Sequence, residues 1–442
     1  MRAACLSVTF LFFSYMITPL CAQLSKAEKR IADAVDARQR EAITLLEEAV
    51  NINSGSMNFE GVHQVGKLFM TRLASLGMDA KWVDGKAWGR AGHLVAQHKG
   101  SGKGKTLLLI GHLDTVFEMS SPFQRFEMVN DSTMRGPGVG DMKGGDVIII
   151  QALQALKDTG LLKDMNIIVV MTGDEEHSGR PLSLARQHLV EAAKAADVAL
   201  GFEDGDGNPA TAVVARRSSS GWQLRVTGVP AHSSQIFTGP IGAGAIYEAS
   251  RIIYQFYTSL SGEENLTFNP GMVLAGTEVE HEQEKDGGSA FGKSNIVARQ
   301  AVVSGDIRAI SPDQLTQTQE TMRAIVAKNL PQTRAEITFG EGYPPLAPAE
   351  GNYRLLNYFS KVSVDLGFGP VQAVNPRDAG AADISFTAGY VEMALDGLGP
   401  GSAGGHTVNE TADPRTLSRQ AKRAAILMHR LSTDKVSTGQ KK

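Results

Sequence analysis

Cysteine is almost absent from this chain of 442 residues, with only Cys5 and Cys21 present. Both lie in "RAACLSVTFLFFSYMITPLCA", where Arg2 precedes a short apolar stretch. A basic start, an apolar run and a small-residue end make a secretory signal peptide, too short and too terminal for a membrane anchor. Cleavage is expected after Ala22; a lipoprotein reading through Cys21 fits less well, because of Pro19 and Leu20. The mature chain would then have no disulfide, thiolate nucleophile or sulfur metal ligand. That suits a secreted or periplasmic protein. It leaves histidine and carboxylate as the only holders of any metal.

An excess of one charge is also lacking. The chain has 44 Lys and Arg against 47 Asp and Glu, a net charge of −3. No Lys/Arg-rich run offers a nucleic-acid surface, and the terminal "QKK" reads as a frayed end. There is no internal repeat and no long low-complexity tract. What is present is 42% hydrophobic content, enough for a large soluble core. At roughly 100–200 residues per domain, the length suits two domains.

The first half alternates helical and strand patterns. The stretch from Ala27 to Ser54 is helix-like, with Ile43, Leu46 and Val50 at three- and four-residue spacing, and Val62 to Leu76 is a second helix. "HLVAQHKG", "KTLLLIGH", "MNIIVVMTG" and "DVALGFE" read as strands, with "GGDVIIIQALQALKDTG" and "PLSLARQHLVEAAKAA" as helices between them. Buried strands alternating with helices imply a mostly parallel sheet covered on both faces. From about Ala215 the pattern becomes β-α-β-β-α-β, the order of a ferredoxin-like module, with Ser311 or Asp313 as N-cap of its second helix. "GYPPLAPAEGN" is the return linker, and the closing helix "RTLSRQAKRAAILMHRL" resumes the first domain.

Polar groups gather at the strand ends. "TLLLIG" is followed by His112 and Asp114, "IIVVMTG" by Asp174, Glu175 and Glu176, and "VALGF" by Glu203. Gly-rich loops add Asp141 in "RGPGVGDMKGG" and His406 in "GSAGGHTVNE". Taken singly, each has an ordinary explanation as a loop histidine, a solvated charge run or a helix-cap aspartate. In an open parallel sheet, however, ligands bind beyond the carboxyl ends of the strands. Carboxylates gathered there without countercharge repel one another. A divalent cation removes the repulsion, and a nitrogen and oxygen donor set suits zinc, cobalt or manganese. The donors exceed what one ion needs, which points to two ions sharing a carboxylate.

"GHLDTV", "GVGDMKGG", "TGDEEHSG", "GFE" and "GGHTVNE", in this order, resemble the dinuclear zinc metallopeptidases of family M20, and its glutamate carboxypeptidase branch in particular. The resemblance implies that Asp141 bridges two metals, that His112 and Glu203 complete one site, and that Glu176 and His406 complete the other. It makes Glu175 the general base and Asp114 the residue that orients His112. In that family a histidine of the smaller domain reaches the active site of the second subunit, and His232 matches it. Asn295 and Arg308 match substrate-binding positions, with Arg308 suited to a substrate carboxylate. Where glutamate carboxypeptidase carries a further basic residue, this chain has Glu341 and Tyr343, which weighs against strict C-terminal glutamate specificity. Asp383 and Arg377, in a loose version of another family segment, are candidate pocket residues.

The resulting expectation is an α/β fold with a mostly parallel catalytic sheet, helices on both faces and an inserted ferredoxin-like lid and dimerisation domain. A signal peptide spans 1–22, the catalytic domain 23–215 and 341–442, and the lid 216–340. The expected activity is metal-dependent amide hydrolysis, releasing a C-terminal amino acid from a small peptide or N-acyl amino acid, by a homodimer holding two divalent ions, zinc first. An aminoacylase or deacetylase, and a non-catalytic binding protein on the same scaffold, are the alternatives.

Overall fold

Residues 24–101, 104–282 and 287–433 are described by this computed structural model. The segment read as a signal peptide, with its two cysteines, and the terminal "QKK" lie outside them. The first helical stretch is two helices rather than one. α1 (Lys26–Ala37) starts at a capping box formed by Ser25 and Glu28. α2 (Gln39–Val50) follows after Arg38, which leaves helical geometry at φ −110°, ψ 10° and turns its guanidinium onto Asp158 and Glu41. The break lets Ile31 and Val35 meet the same core as Leu45, Leu46 and Val50 from a second direction. α3 (Phe59–Ser75) is capped by Asn58, whose side chain accepts from the Gly61 N–H.

The central strands are β1 (Asp79–Asp84), β2 (Gly92–His98), β3 (Thr106–His112), β4 (Asn166–Thr172) and β5 (Val198–Gly201). α4 (Lys143–Asp158) and α5 (Gln187–Ala195) cross between strands. Their apolar runs are continuous because both sheet faces are covered. Leu107, Leu109, Ile167 and Val169 pack into one cluster with α4. Leu108, Ile110, Ile168 and Val170 pack into another with Leu189 and Ala192 of α5. At about 1.5–3 kcal/mol for each fully buried aliphatic side chain, this double layer is the main source of rigidity behind the strand ends.

The chain then builds β6 (Ser220–Gly228), α6 (Gly244–Leu260), β7 (Thr267–Gly276), β8 (Gln300–Arg308), α7 (Pro312–Val326) and β9 (Thr333–Phe339). The strands pair antiparallel in the order β7-β8-β6-β9, which is the βαββαβ arrangement. Trp222, Leu224, Ile252, Phe256 and Val303 form a core of their own beneath the helices. Ser311 is the N-cap of α7. Between β7 and β8 a hairpin of Glu278–Glu282 and Gly287–Phe291 departs from the sequence reading; its first strand, EVEHE, has one apolar residue and its second, GGSAF, opens on two glycines, so neither carries a strand-like apolar pattern.

α8 (Glu350–Asp365), β10 (Met393–Leu395) and α9 (Pro414–Thr433) complete the first unit. Its sheet runs β1-β2-β4-β3-β5-β10. The β4–β3, β3–β5 and β5–β10 pairings are parallel, and β1–β2 and β2–β4 are antiparallel. Backbone bridges Arg216–Leu346 and Ser219–Tyr343 mark where the chain passes between the units. Among the described residues, no helix is long and apolar enough to cross a membrane.

Candidate metal centre

His112 is the last residue of β3 and is buried. Its Nε2 lies 3.0 Å from Asp141 Oδ1 and 3.5 Å from Glu203 Oε1. His406 Nε2 lies 3.0 Å from the other oxygen, Asp141 Oδ2, and 3.2 Å from Glu176 Oε2. Thus His112, Asp141 and Glu203 form one group of converging donors, Asp141, Glu176 and His406 form another, and Asp141 belongs to both.

Local structure aims each donor. Glu203 follows β5, and the loop carrying Asp141 runs into α4 beside it. That approach needs Gly145, where a Cβ would sit 1.9 Å from the Phe202 carbonyl oxygen. Glu410 holds the same loop. Its carboxylate accepts from the N–H groups of Gly138, Gly140 and Asp141 at 3.0, 2.9 and 3.1 Å. His406 sits in the left-handed region at φ 61°, beyond a Gly-Gly pair that lets the chain turn there. Backbone strain in a side chain that meets two carboxylates is the kind kept for function.

Asp114 is wholly buried and does two jobs. It accepts from the backbone N–H of Glu175 at 3.0 Å, from that of Glu176 at 3.1 Å and from Ser56 at 2.6 Å. Its Oδ1 also lies 3.5 Å from His112 Nδ1, and its carbonyl oxygen lies 3.0 Å from the same nitrogen. Behind the turn, buried Arg186 pairs with Asp174 at 2.6 Å and Asp383 at 2.7 Å. It also donates to the Tyr343 hydroxyl at 2.6 Å, and that hydroxyl donates to the Glu175 carbonyl at 3.1 Å. Tyr343 therefore buttresses the Glu175 turn. Asp383 backs the turn through Arg186, and Arg377 is exposed. Glu341 accepts from the Leu182 N–H. Sequence reading missed Glu410, Asp174 and Arg186 as supports, since nothing local marks a glutamate or an arginine as a buried acceptor or donor.

The electrostatics are those of a cage with too many anions. Burial opposes charge on His112, but Glu203, Asp114 and Asp141 outweigh it and hold the imidazole well above its usual range. Hydrogen bonds that its Nε2 donates to Asp141 and Glu176 push His406 up to about 11. Burial raises the Glu203, Glu176 and Glu175 carboxyls, most strongly Glu203 and Glu175. Burial acts the same way on Asp141, yet the two histidines hold it below the carboxylate range. Two protonated imidazoles thus stand in for cations. Glu176 Oε1 is buried without a hydrogen-bond partner among the described residues. An orphaned carboxylate oxygen, an anion excess and a sulfur-free set of imidazoles and carboxylates fit divalent ions.

His232, Asn295 and Arg308 are placed in the second unit. His232 and Ile296 form a backbone bridge, and Asn295 accepts from the Ser233 N–H at 2.8 Å. Arg308 pairs with Asp306 at 3.0 Å. Their hydrogen bonds run within that unit rather than to the cage.

The model of peptidase family M20/M25/M40 matches residues 108–430. Carboxypeptidase G2 of Pseudomonas sp. (strain RS-16) is 26% identical over 425 residues, covering 92% of this chain and 95% of that protein. Among solved structures, aminopeptidase PepT from Bacillus cereus superposes with a TM-score of 0.69 at 18% identity, over 89% of this chain and 98% of its own. The Bacillus subtilis protein YXEP, described as a dinuclear metal-binding peptidase, superposes with a TM-score of 0.62 at 15% identity, over 90% of this chain and 99% of its own. The family match takes in β3 from residue 108, β4, β5 and β10, the whole second unit and every donor of the cage, and the chain belongs to peptidase family M20/M25/M40.

Proposed function

We propose that this member of the family is a dimetal hydrolase that cuts an amide bond and releases a C-terminal amino acid from a small peptide or N-acyl amino acid. The observation that carries the reading is Asp141, with one oxygen 3.0 Å from each of two histidines. Two divalent ions bound there supply a Lewis acid for the scissile carbonyl and acidify a water toward neutrality. Zinc suits the donors best, and cobalt or manganese share the preference.

The chain's own residues do the rest. His112 and Glu203 would hold one ion and Glu176 and His406 the other, with Asp141 common to both donor groups. Asp114 fixes the His112 ring from behind, as a partner of a metal-bound imidazole does. Glu175 belongs to neither donor group. Burial holds its carboxyl well above the usual glutamate range. It removes the proton of the attacking water and delivers it to the leaving amine. His232, Asn295 and Arg308 bind substrate from the second unit, which closes over the cage about the bridges at Ser219 and Arg216. The chain works as an exported homodimer. The aromatic face of α6 supports the dimer, and the cysteine-free sequence after residue 22 supports export.

Metal analysis of the purified protein, followed by chelation and re-addition, tests the reading. Stoichiometric transition metal and chelator-sensitive cleavage of a peptide and acyl-amino-acid panel are expected. A protein with no bound metal whose activity survives chelators would overturn it. The same panel separates a carboxypeptidase from an aminoacylase.

A further inference from the structure

The anion-rich cage has a cationic counterpart in the second unit. The β6–β8 register pairs Ser220 with Ile307, and Ser218 donates to Ala309 O at 2.7 Å, so the pairing runs on past the strand end. Alternation then puts Ser218 and Ala309 on the helix-covered face, and Arg217, Ser219 and Arg308 together on the polar face. Across β8, Arg308 stands opposite Thr267. Arg217 Nη1 donates to Thr267 Oγ1 at 2.8 Å, so its side chain spans the strand that carries Arg308.

Arg217 is only 9% exposed, and its Nε is buried with no hydrogen-bond partner among the described residues. Burial, then the charges of Arg308 and Arg377, push its guanidinium below the usual range, while Asp306 and Asp378 pull the other way. Arg308 is already paired with Asp306, whereas Arg217 forms no ion pair with a carboxylate among the described residues. A cavity of about 780 Å³ opens on the same polar face, lined by Gln223, Asn269, Ser304, Asp306 and Thr338 among others. Asn269 and Asp306 form the cross-strand pair next but one to Thr267 and Arg308.

We propose that Arg217, beside Arg308, is the second arginine of a subsite that binds one carboxylate of the substrate, with the rest of that substrate's released residue in the adjoining cavity. This rests on the amide-hydrolase reading. Two guanidinium forks on the same face give a single carboxylate directional donors from two sides. The carboxylate is either the terminal one or that of an acidic side chain.

The test compares hydrolysis of acetyl-alanyl-leucine, its C-terminal amide, acetyl-alanyl-glutamate and acetyl-alanyl-glutamine by the zinc-loaded protein and its Arg217→Gln variant. Calorimetry with leucine, leucinamide, glutamate and glutamine on metal-free protein accompanies it. In one of the two pairs, leucine acid against its amide or glutamate against glutamine, the member with the extra carboxylate is expected to exceed its counterpart at least tenfold in kcat/KM. Arg217→Gln should collapse that ratio, mainly through KM. A leucine-over-leucinamide preference assigns the terminal carboxylate, and a glutamate-over-glutamine preference assigns the side chain. Equal treatment of charged and uncharged partners by the native protein overturns the subsite, as does an Arg217→Gln variant with the native ratio. Thr267→Val, which removes the hydroxyl holding Arg217, should weaken the same ratio and serves if Arg217→Gln does not fold. Should no substrate be cleaved, the hydrolase reading fails, and calorimetry still decides the subsite.

Discussion

Glu175 and Glu176 are adjacent in the chain, yet one aspartate sends them to different work. Because Asp114 grips both backbone N–H groups, the turn is fixed with the Glu176 carboxylate 3.2 Å from His406 and Glu175 outside both donor groups. Replacing Glu175 by Ala is expected to lower kcat by about 10²–10⁴-fold, the usual contribution of a general base. Mass-spectrometric metal content should stay at the native value, and a matching loss of metal would reassign Glu175 as a ligand. His406 gives a prediction about pH. In the metal-free protein it is pushed up to about 11 by Asp141 and Glu176, so it is charged at neutral pH. An imidazole must be neutral to hold a metal, so metal binding releases its proton. Zinc affinity should therefore rise between pH 6 and 8, with proton release visible in calorimetry across buffers of different ionisation enthalpy. The sign for stability is the reverse. A raised imidazole stabilises the metal-free fold fully below its unfolded value and loses that contribution as pH climbs toward about 11.

At the scale of elements, the loop between β3 and α4 depends on a residue far along the chain. Glu410 satisfies three backbone donors of that loop, and burial raises its own carboxyl to about 7. Glu410→Ala leaves those donors without their acceptor, at about 1–3 kcal/mol for each one that stays buried and unpaired. Calorimetric unfolding of the variant should show a clearly lower Tm. Because the same loop carries Asp141, its zinc affinity should fall as well. Native affinity in the destabilised variant would mean that the loop holds its shape without the carboxylate.

At the scale of the whole molecule, α6 presents Tyr247, Tyr254 and Tyr257, with Phe237 packed beside Tyr247, each between 55% and 67% exposed. Clustered exposed aromatics are the composition of an interface core rather than of a solvated helix face. Changing Tyr254 and Tyr257 to Glu is expected to convert a dimer to a monomer in sedimentation analysis, with a loss of activity if His232 acts on the second copy's cage. An unchanged sedimentation coefficient would remove α6 from the interface.

Much of this molecule can be read from the chain alone, because strand and helix patterns are local. The runs ending at His112, Thr172 and Gly201, the Gly-rich approach to Asp141 and the β-α-β-β-α-β order all follow from neighbouring residues and their periodicity. Strand ends and glycine turns gather the polar groups between residues 112 and 406, and the choice of five donors among them is what the family resemblance implies. Other features depend on atoms distant in sequence. Only tertiary packing decides that Asp141 turns one oxygen to each histidine, that Glu410 and Arg186 are buried supports, and that Arg38 divides a helical stretch in two. The same holds for Arg217. In the sequence it is one of two arginines before a run of serines, and only the pairing of β6 with β8, and of β8 with β7, lays its charge beside Arg308. Local patterns set the direction of the chain, but which charges meet is set by the strands that pair across it.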